Sequence, residues 1–113
     1  MAFYFQEGPK TWIAALRHCR EKSHDLVVIT SENKKTDVKK CLEDQHNITN
    51  GVWIGLERSI FGCSVPWEWI SGEECKNCDV QHRNSSHYCG KISSAGVFHS
   101  DYCFEELPFI CEP

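Results

Sequence analysis

Gly51–Cys78 reads GVWIGLERSIFGCSVPWEWISGEECKNC and holds three of the chain's four tryptophans and three of its eight cysteines. Val52–Leu56 is short, apolar and bounded by glycine and charge, which predicts a buried strand. Trp67 and Trp69 alternate with Glu68, so both indoles fall on one side of a second extended segment. Cys63 lies between the two segments, and Cys75 and Cys78 lie beyond them.

Downstream, Gly72–Ser86 turns polar and irregular, a loop long enough to suggest function. YCGKI (Tyr88–Ile92) and GVFHSDYC (Gly96–Cys103) then read as a hairpin turning at Ser93–Gly96, and PFICEP as a final strand. Upstream, Phe3–Phe5 reads as a short edge strand and Gly8-Pro9 as a break. Thr11 is a good N-cap, and Trp12, Ala15, Leu16 and Cys19 follow at helical spacing on one face, predicting a helix to about Lys22. Asp25–Thr30 (DLVVIT) is an extended core segment. Ser31 caps a second helix with Val38, Cys41 and Leu42 on its buried face and lysines on its solvated one.

The totals bound the class. With 113 residues, 41% hydrophobic and 25% charged, the chain can pack one core, and residues 1–113 read as a single domain. The net charge of −4, with mixed signs, leaves no nucleic-acid footprint. No apolar run approaches the roughly 20 residues that span a bilayer, and MAFYFQEGPK has no secretory leader pattern. Eight cysteines imply a disulfide framework formed in an oxidising compartment. The sequons Asn47-Ile48-Thr49 and Asn84-Ser85-Ser86 make Asn47 and Asn84 candidate glycosylation sites. Together these predict an extracellular piece of a longer secreted or membrane-anchored chain, with Met1-Ala2 as an added start.

The ordered set TW–A–L–HC (Thr11–Cys19), DLVVITS (Asp25–Ser31), WIGL (Trp53–Leu56), WEWISG (Trp67–Gly72), YCGKI (Tyr88–Ile92) and C–––LPFICE (Cys103–Glu112) resembles the C-type lectin-like domain over nearly the whole chain. The resemblance implies an α+β fold. Two helices flank small antiparallel sheets, a long surface loop runs between Gly72 and Cys89, and Trp53 and Trp69 are core residues. It also implies the pairs Cys19–Cys111 and Cys89–Cys103. Cys41, Cys63, Cys75 and Cys78 remain. They allow three pairings among themselves; extra cysteines in some members tie the long-loop region, so we favour Cys63 bonded to Cys75 or Cys78 with Cys41 taking the other, the alternatives being a tight Cys75–Cys78 ring and Cys41 as an interchain thiol.

Sugar-binding members of that family hold calcium through a Glu-Pro-Asn or Gln-Pro-Asp triplet, a Glu shortly before the third invariant cysteine, and an Asn-Asp pair after a Trp. Calcium wants 6–8 oxygen ligands. Here no proline lies between Trp67 and Cys103. Phe98, His99 and Ser100 fill the Trp-Asn-Asp positions, and His87-Tyr88 precedes Cys89. Imidazole and hydroxyl are poor calcium ligands, so calcium-dependent sugar binding is not expected. The closest character is that of the calcium-independent killer-cell lectin-like receptors. This implies a recognition module, an immune receptor or its ligand, for a protein on another cell or in the extracellular space. The expected contact residues are Glu73, Glu74, Lys76, Asp79, His82, Arg83 and Tyr88 from the loop, and His99 and Tyr102 from the hairpin. Two alternatives stand: a calcium-independent carbohydrate-binding lectin, and a secreted antifreeze- or toxin-like member. A glycan or a second copy of the chain are further candidate partners.

Cys75-x-x-Cys78 with His82, His87 and Cys89 matches no common zinc spacing, so no metal or other cofactor is expected. No nucleophile motif, phosphate loop or His-Glu-x-x-His occurs, so catalysis is not expected.

Overall fold

The computed structural model describes residues 2–45, 48–59, 65–76, 78–81 and 84–113. Strand β1 spans Tyr4–Lys10, longer than the expected Phe3–Phe5, because Gly8-Pro9 does not break it. Its register slips between Gln6 and Lys10, so the proline sits in an irregularity of a sheet-edge strand, where no ladder N–H is demanded of it. Thr11 caps α1 (Trp12–Glu21), its Oγ1 accepting the Ala14 N–H at 3.4 Å. Trp12, Ala15, Leu16 and Cys19 form the buried stripe. Strand β2 is only Asp25–Leu26, although Val27 and Ile29 continue into the core. Ser31 caps α2 (Glu32–Glu43) through Oγ, which accepts the Lys34 N–H at 3.2 Å.

The remaining strands are β3 (Val52–Glu57), β4 (Glu68–Trp69), β5 (Cys89–Ile92), β6 (Phe98–Asp101) and β7 (Leu107–Glu112). The hydrogen-bonded path runs β1-β7-β3-β5-β6, with β2 added to β7 and β4 to β3. The sheet is mixed: β3 and β7 run parallel, meeting at Trp53 and Phe109. At the hairpin turn, Ser93 N–H donates to Val97 O and Gly96 takes φ +80°.

Alternation along β3 divides the core. Trp53 faces the helix α1 side, packed with Trp12, Leu16, Leu107 and Phe109. Val52, Ile54 and Leu56 face the other side with Val38 and Leu42 of α2. Trp53 is fully buried, and its Nε1 donates to Lys10 O at 3.0 Å and Glu105 O at 3.2 Å. Trp12 Nε1 donates to Ile54 O at 2.9 Å. Every indole N–H needs a partner when buried, and these two stitch α1, β3 and the segment before β7 together.

Cys19 is bonded to Cys111, tying α1 to β7, and Cys89 to Cys103, tying β5 to the segment after β6. The sulfurs of Cys75 and Cys78 lie against each other, where the expectation was a link from one of them to Cys63. Their Cα atoms are 5.6 Å apart. Cys63 itself lies outside the described residues. Cys41, expected on the buried face of α2 and in a disulfide, is half-buried with a free thiol. Val38 and Leu42, four apart, define the buried stripe, and Cys41 sits on its margin. Burial, and then the charge of Asp44, push its thiol pKa up.

Candidate functional site

The long loop is pinned at both ends. On the near side Trp69 N–H donates to Glu73 O, Cys75 N–H donates to Trp67 O, and Glu74 bridges to Glu68. On the far side Val80 is buried, Gln81 N–H donates to Phe98 O, and Ser100 N–H donates to Gln81 O. Between the pins stand the half-exposed Cys75 and Cys78 and the exposed Glu73, Glu74, Lys76 and Asp79. Glu73, Glu74 and Lys76 form one wall of a hollow of about 510 Å³; Thr30, Ser31 and Glu32 at the start of α2 form the other. Its floor is aromatic. Trp69 and Phe98 meet edge to face at 5.7 Å, and Lys35 Nζ lies 4.6 Å from the Phe98 ring centre.

His99 is on the opposite face of β6 from Phe98, as strand alternation requires. It lines a separate hollow of about 350 Å³ with His87, Lys91, Asp101 and Thr49–Gly51. Lys91 Nζ pairs with Asp101 Oδ2 at 2.7 Å. Tyr102 packs against the edge of His87 at 4.4 Å and stacks on Phe104 at 5.0 Å, and Phe104 is 69% exposed. Tyr88 is half-buried beneath Arg58, whose guanidinium carbon is 4.7 Å from the ring centre. The expected contact residues therefore fall on different faces: Glu73, Glu74 and Lys76 gather beside α2, and His99 does not join them. His82, Arg83 and the sequon residue Asn47 lie outside the described residues. Asn84 is exposed, and its Oδ1 accepts the Ser86 N–H at 2.9 Å.

Arg58 is absent from the residues picked out by sequence. Its Nη2 donates to the carbonyls of Asn84, Ser85 and His87 at 3.4, 3.2 and 2.9 Å, and its N–H to Tyr88 O. One guanidinium thus fixes the approach to β5 and lines a third hollow of about 490 Å³ with Val65, Trp67, Cys75, Cys78 and Asn84. Nothing in the local sequence marks it, because its acceptors lie 26–29 residues away. Nearby, Glu57 is paired across the sheet with Glu68. Burial first, and repulsion from Glu68 second, raise its carboxyl pKa above the usual range, and Arg20 opposes them.

At the positions where the family resemblance would put calcium ligands, His87 and Ser100 face each other. Ser100 is 3% exposed and its Oγ lies 2.9 Å from His87 Nδ1. The two polar groups thus satisfy each other, and the Lys91 ammonium sits on the neighbouring strand position, paired to the adjacent carboxylate. Among the described residues no group of three or more His, Cys, Asp and Glu side chains is arranged to hold a metal.

Comparison with known proteins adds three findings. The family model described as the lectin C-type domain matches residues 8–113. The chain is 26% identical over 118 residues to lithostathine-1-beta of Homo sapiens, covering 97% of this chain and 70% of that protein. It is equally 26% identical over 123 residues to C-type lectin domain family 10 member A of Mus musculus, covering 97% of this chain but only 37% of that protein. Among solved structures, the mouse scavenger receptor C-type lectin carbohydrate-recognition domain superposes with a TM-score of 0.81 at 25% identity, covering 98% of this chain and 86% of that one.

Proposed function

Because the chain belongs to the lectin C-type domain family, we propose that it is an extracellular recognition module that binds a protein ligand without calcium-dependent sugar coordination. The observation that carries this reading is the His87–Ser100 contact, which fills the calcium positions with an internally satisfied pair. The contact face we assign is the hollow between the loop and α2. It offers an aromatic floor at Trp69 and Phe98 inside a rim of Glu32, Glu73, Glu74 and Lys76. An apolar centre with a charged rim suits protein recognition: the centre supplies affinity, and the rim supplies partner choice and on-rate. The killer-cell-receptor character belongs to the same proposal and rests on the same residues at the calcium positions. Asn84 is proposed as a glycan site; it borders the Arg58 hollow and leaves the α2 hollow open.

The test is binding of the multimerised domain to an array of cell-surface proteins, in millimolar calcium and in chelator, together with thermal melting in both. A ligand that bound only the native state would raise stability by RT ln(1 + [L]/Kd). We expect the same protein ligand and the same melting temperature in both buffers, and loss of binding on replacing Glu73, Glu74 and Lys76 with Ala. A melting shift of several degrees with calcium overturns the calcium argument. Loss confined to the outer face of α2, at Lys39 to Glu43, overturns the assigned face.

A second reading has its own observation. Phe104 stacked on Tyr102 is a solvent-facing aromatic ledge, which suits a calcium-independent glycan. Glycan binding in chelator that is lost on Phe104→Ala would favour it.

A further inference from the structure

We propose that the outer face of α1, together with the turn at Phe104, is a self-association surface on which a second copy of this chain docks about a two-fold axis. Among the described residues four large apolar side chains stand exposed, and the two most exposed are Ile13 at 56% and Phe104 at 69%. They are not scattered. One backbone bond, from Trp12 N–H to Cys103 O at 3.1 Å, joins the segments that carry them. Glu105 N–H donates to Tyr102 O and closes the turn, and the Tyr102 ring stacks on Phe104. From Ile13 the face continues along α1 into a hollow of about 390 Å³ with Leu16 at its base and Arg17, Arg20 and Glu21 around it. These positions lie three, four, seven and eight residues beyond Ile13, so they share one side of the helix. Aromatic rings and arginines are the residues enriched at protein interfaces, where lysine is depleted.

The charges are ordered along the helix axis. At the first-turn end, Glu105 and Glu106 outnumber Lys10, whose carbonyl shares the Trp53 indole N–H with that of Glu105. Toward the last turn, Arg17, Arg20 and Lys22 outnumber Glu21 and Asp25. Arg20 pairs with Asp25 at 3.1 Å. Arg17 is exposed and has no ion pair among the described residues, and the rest of the chain holds no Asp or Glu to supply one. In a two-fold contact residue i meets j and j meets i. Two copies of α1 laid antiparallel across Ile13 and Phe104 therefore set the carboxylate end of each against the guanidinium end of the other. This self-complementary order selects a second copy over a sugar or a partner of one uniform charge. The apolar centre supplies affinity, and the charged ends fix the orientation. α1 packs on the side of β3 that carries Trp53, and α2 on the side that carries Ile54. Pairing through α1 thus leaves both α2 hollows open and gives one particle two of them, whatever those hollows bind.

The test is sedimentation equilibrium of the oxidised chain, with Cys41 alkylated so that no interchain disulfide contributes. We expect a reversible monomer–dimer equilibrium with a dissociation constant below about 1 mM. Phe104→Ser, Arg17→Glu, and the pair Glu105→Lys with Glu106→Lys should each weaken it at least about tenfold, with unchanged far-ultraviolet circular dichroism. Mixed in equal amounts, the Arg17→Glu chain and the Glu105→Lys, Glu106→Lys chain should associate with each other to within about threefold of the parent, because both charge contacts return with reversed sign. A parent that stays monomeric at about 1 mM, a dimer indifferent to Arg17→Glu, or a mixture that stays monomeric would each overturn the proposal. A monomeric parent that needs Phe104 for glycan binding in chelator would give the turn to a sugar and overturn it equally.

Discussion

Gly90 shows how little tolerance single positions of this core have. A Cβ built there would lie 2.6–2.7 Å from the Leu56 side chain on the neighbouring strand, closer than carbon atoms approach. Gly90→Ala should therefore destabilise the domain by about 1–3 kcal/mol, the cost of overpacking a core; a denaturant midpoint equal to the parent's would refute the contact. At this scale the sequence is readable where the chemistry is local. Thr11 and Ser31 announce their helices because a cap acts on the N–H three residues on. Arg58 does not announce itself, because its worth comes from carbonyls in a segment that only the folded sheet brings near. The same holds for His87 and Ser100. Each reads in the sequence as a missing calcium ligand, and only the structure places one against the other.

Between elements, the β3–β4 pairing sets Glu57 opposite Glu68, like charges facing across strands. The folded state raises the Glu57 pKa, chiefly through burial and then through Glu68. A carboxyl with a raised folded pKa holds its proton more tightly in the folded chain. Its favourable contribution is complete below the ordinary carboxylate range and is lost as pH rises through the folded value. Glu57→Gln removes that loss, so the variant should gain stability relative to the parent between about pH 4 and pH 7. Unfolding curves at the two pH values that differ by a constant offset would show that the repulsion contributes nothing. The elements themselves were largely legible, since the period of 3.6 in α1 and the alternation at Trp67 and Trp69 are strong signals. Three features were not. β1 persists through a proline because it lies at the sheet edge; Cys41 falls on the margin of its helix stripe; and the parallel contact of β3 with β7 joins segments far apart in sequence, which no local period encodes.

For the molecule as a whole, the cystine between α1 and β7 closes the longest loop, with a sequence separation of 92. Replacing both Cys19 and Cys111 with Ala should cost about 2–5 kcal/mol, and calorimetry showing the parent's melting temperature would contradict that weight. Family resemblance made this architecture readable from scattered motifs, because the tryptophans and cysteines that carry it mark where distant strands meet. The division of the loop and hairpin surface into separate hollows was not readable. It follows from Phe98 and His99 pointing to opposite sides of one strand.

The bond from Cys19 to Cys111 also decides how the domain answers a pull. Tyr4 lies opposite Cys111, so the outer ends of β1 and β7 sit side by side, and tension on both ends peels β1 away one residue pair at a time. Peeling stops when the load reaches Cys19, because from there it crosses the cystine straight to Cys111. Only the chain ahead of Cys19 can lengthen, by about 60 Å at the extended reach of about 3.5 Å per residue. Residues 20–110 are bypassed by the load, and the hairpin of β5 and β6, at the far edge of the sheet from β1, keeps its shape while β1 is peeled away.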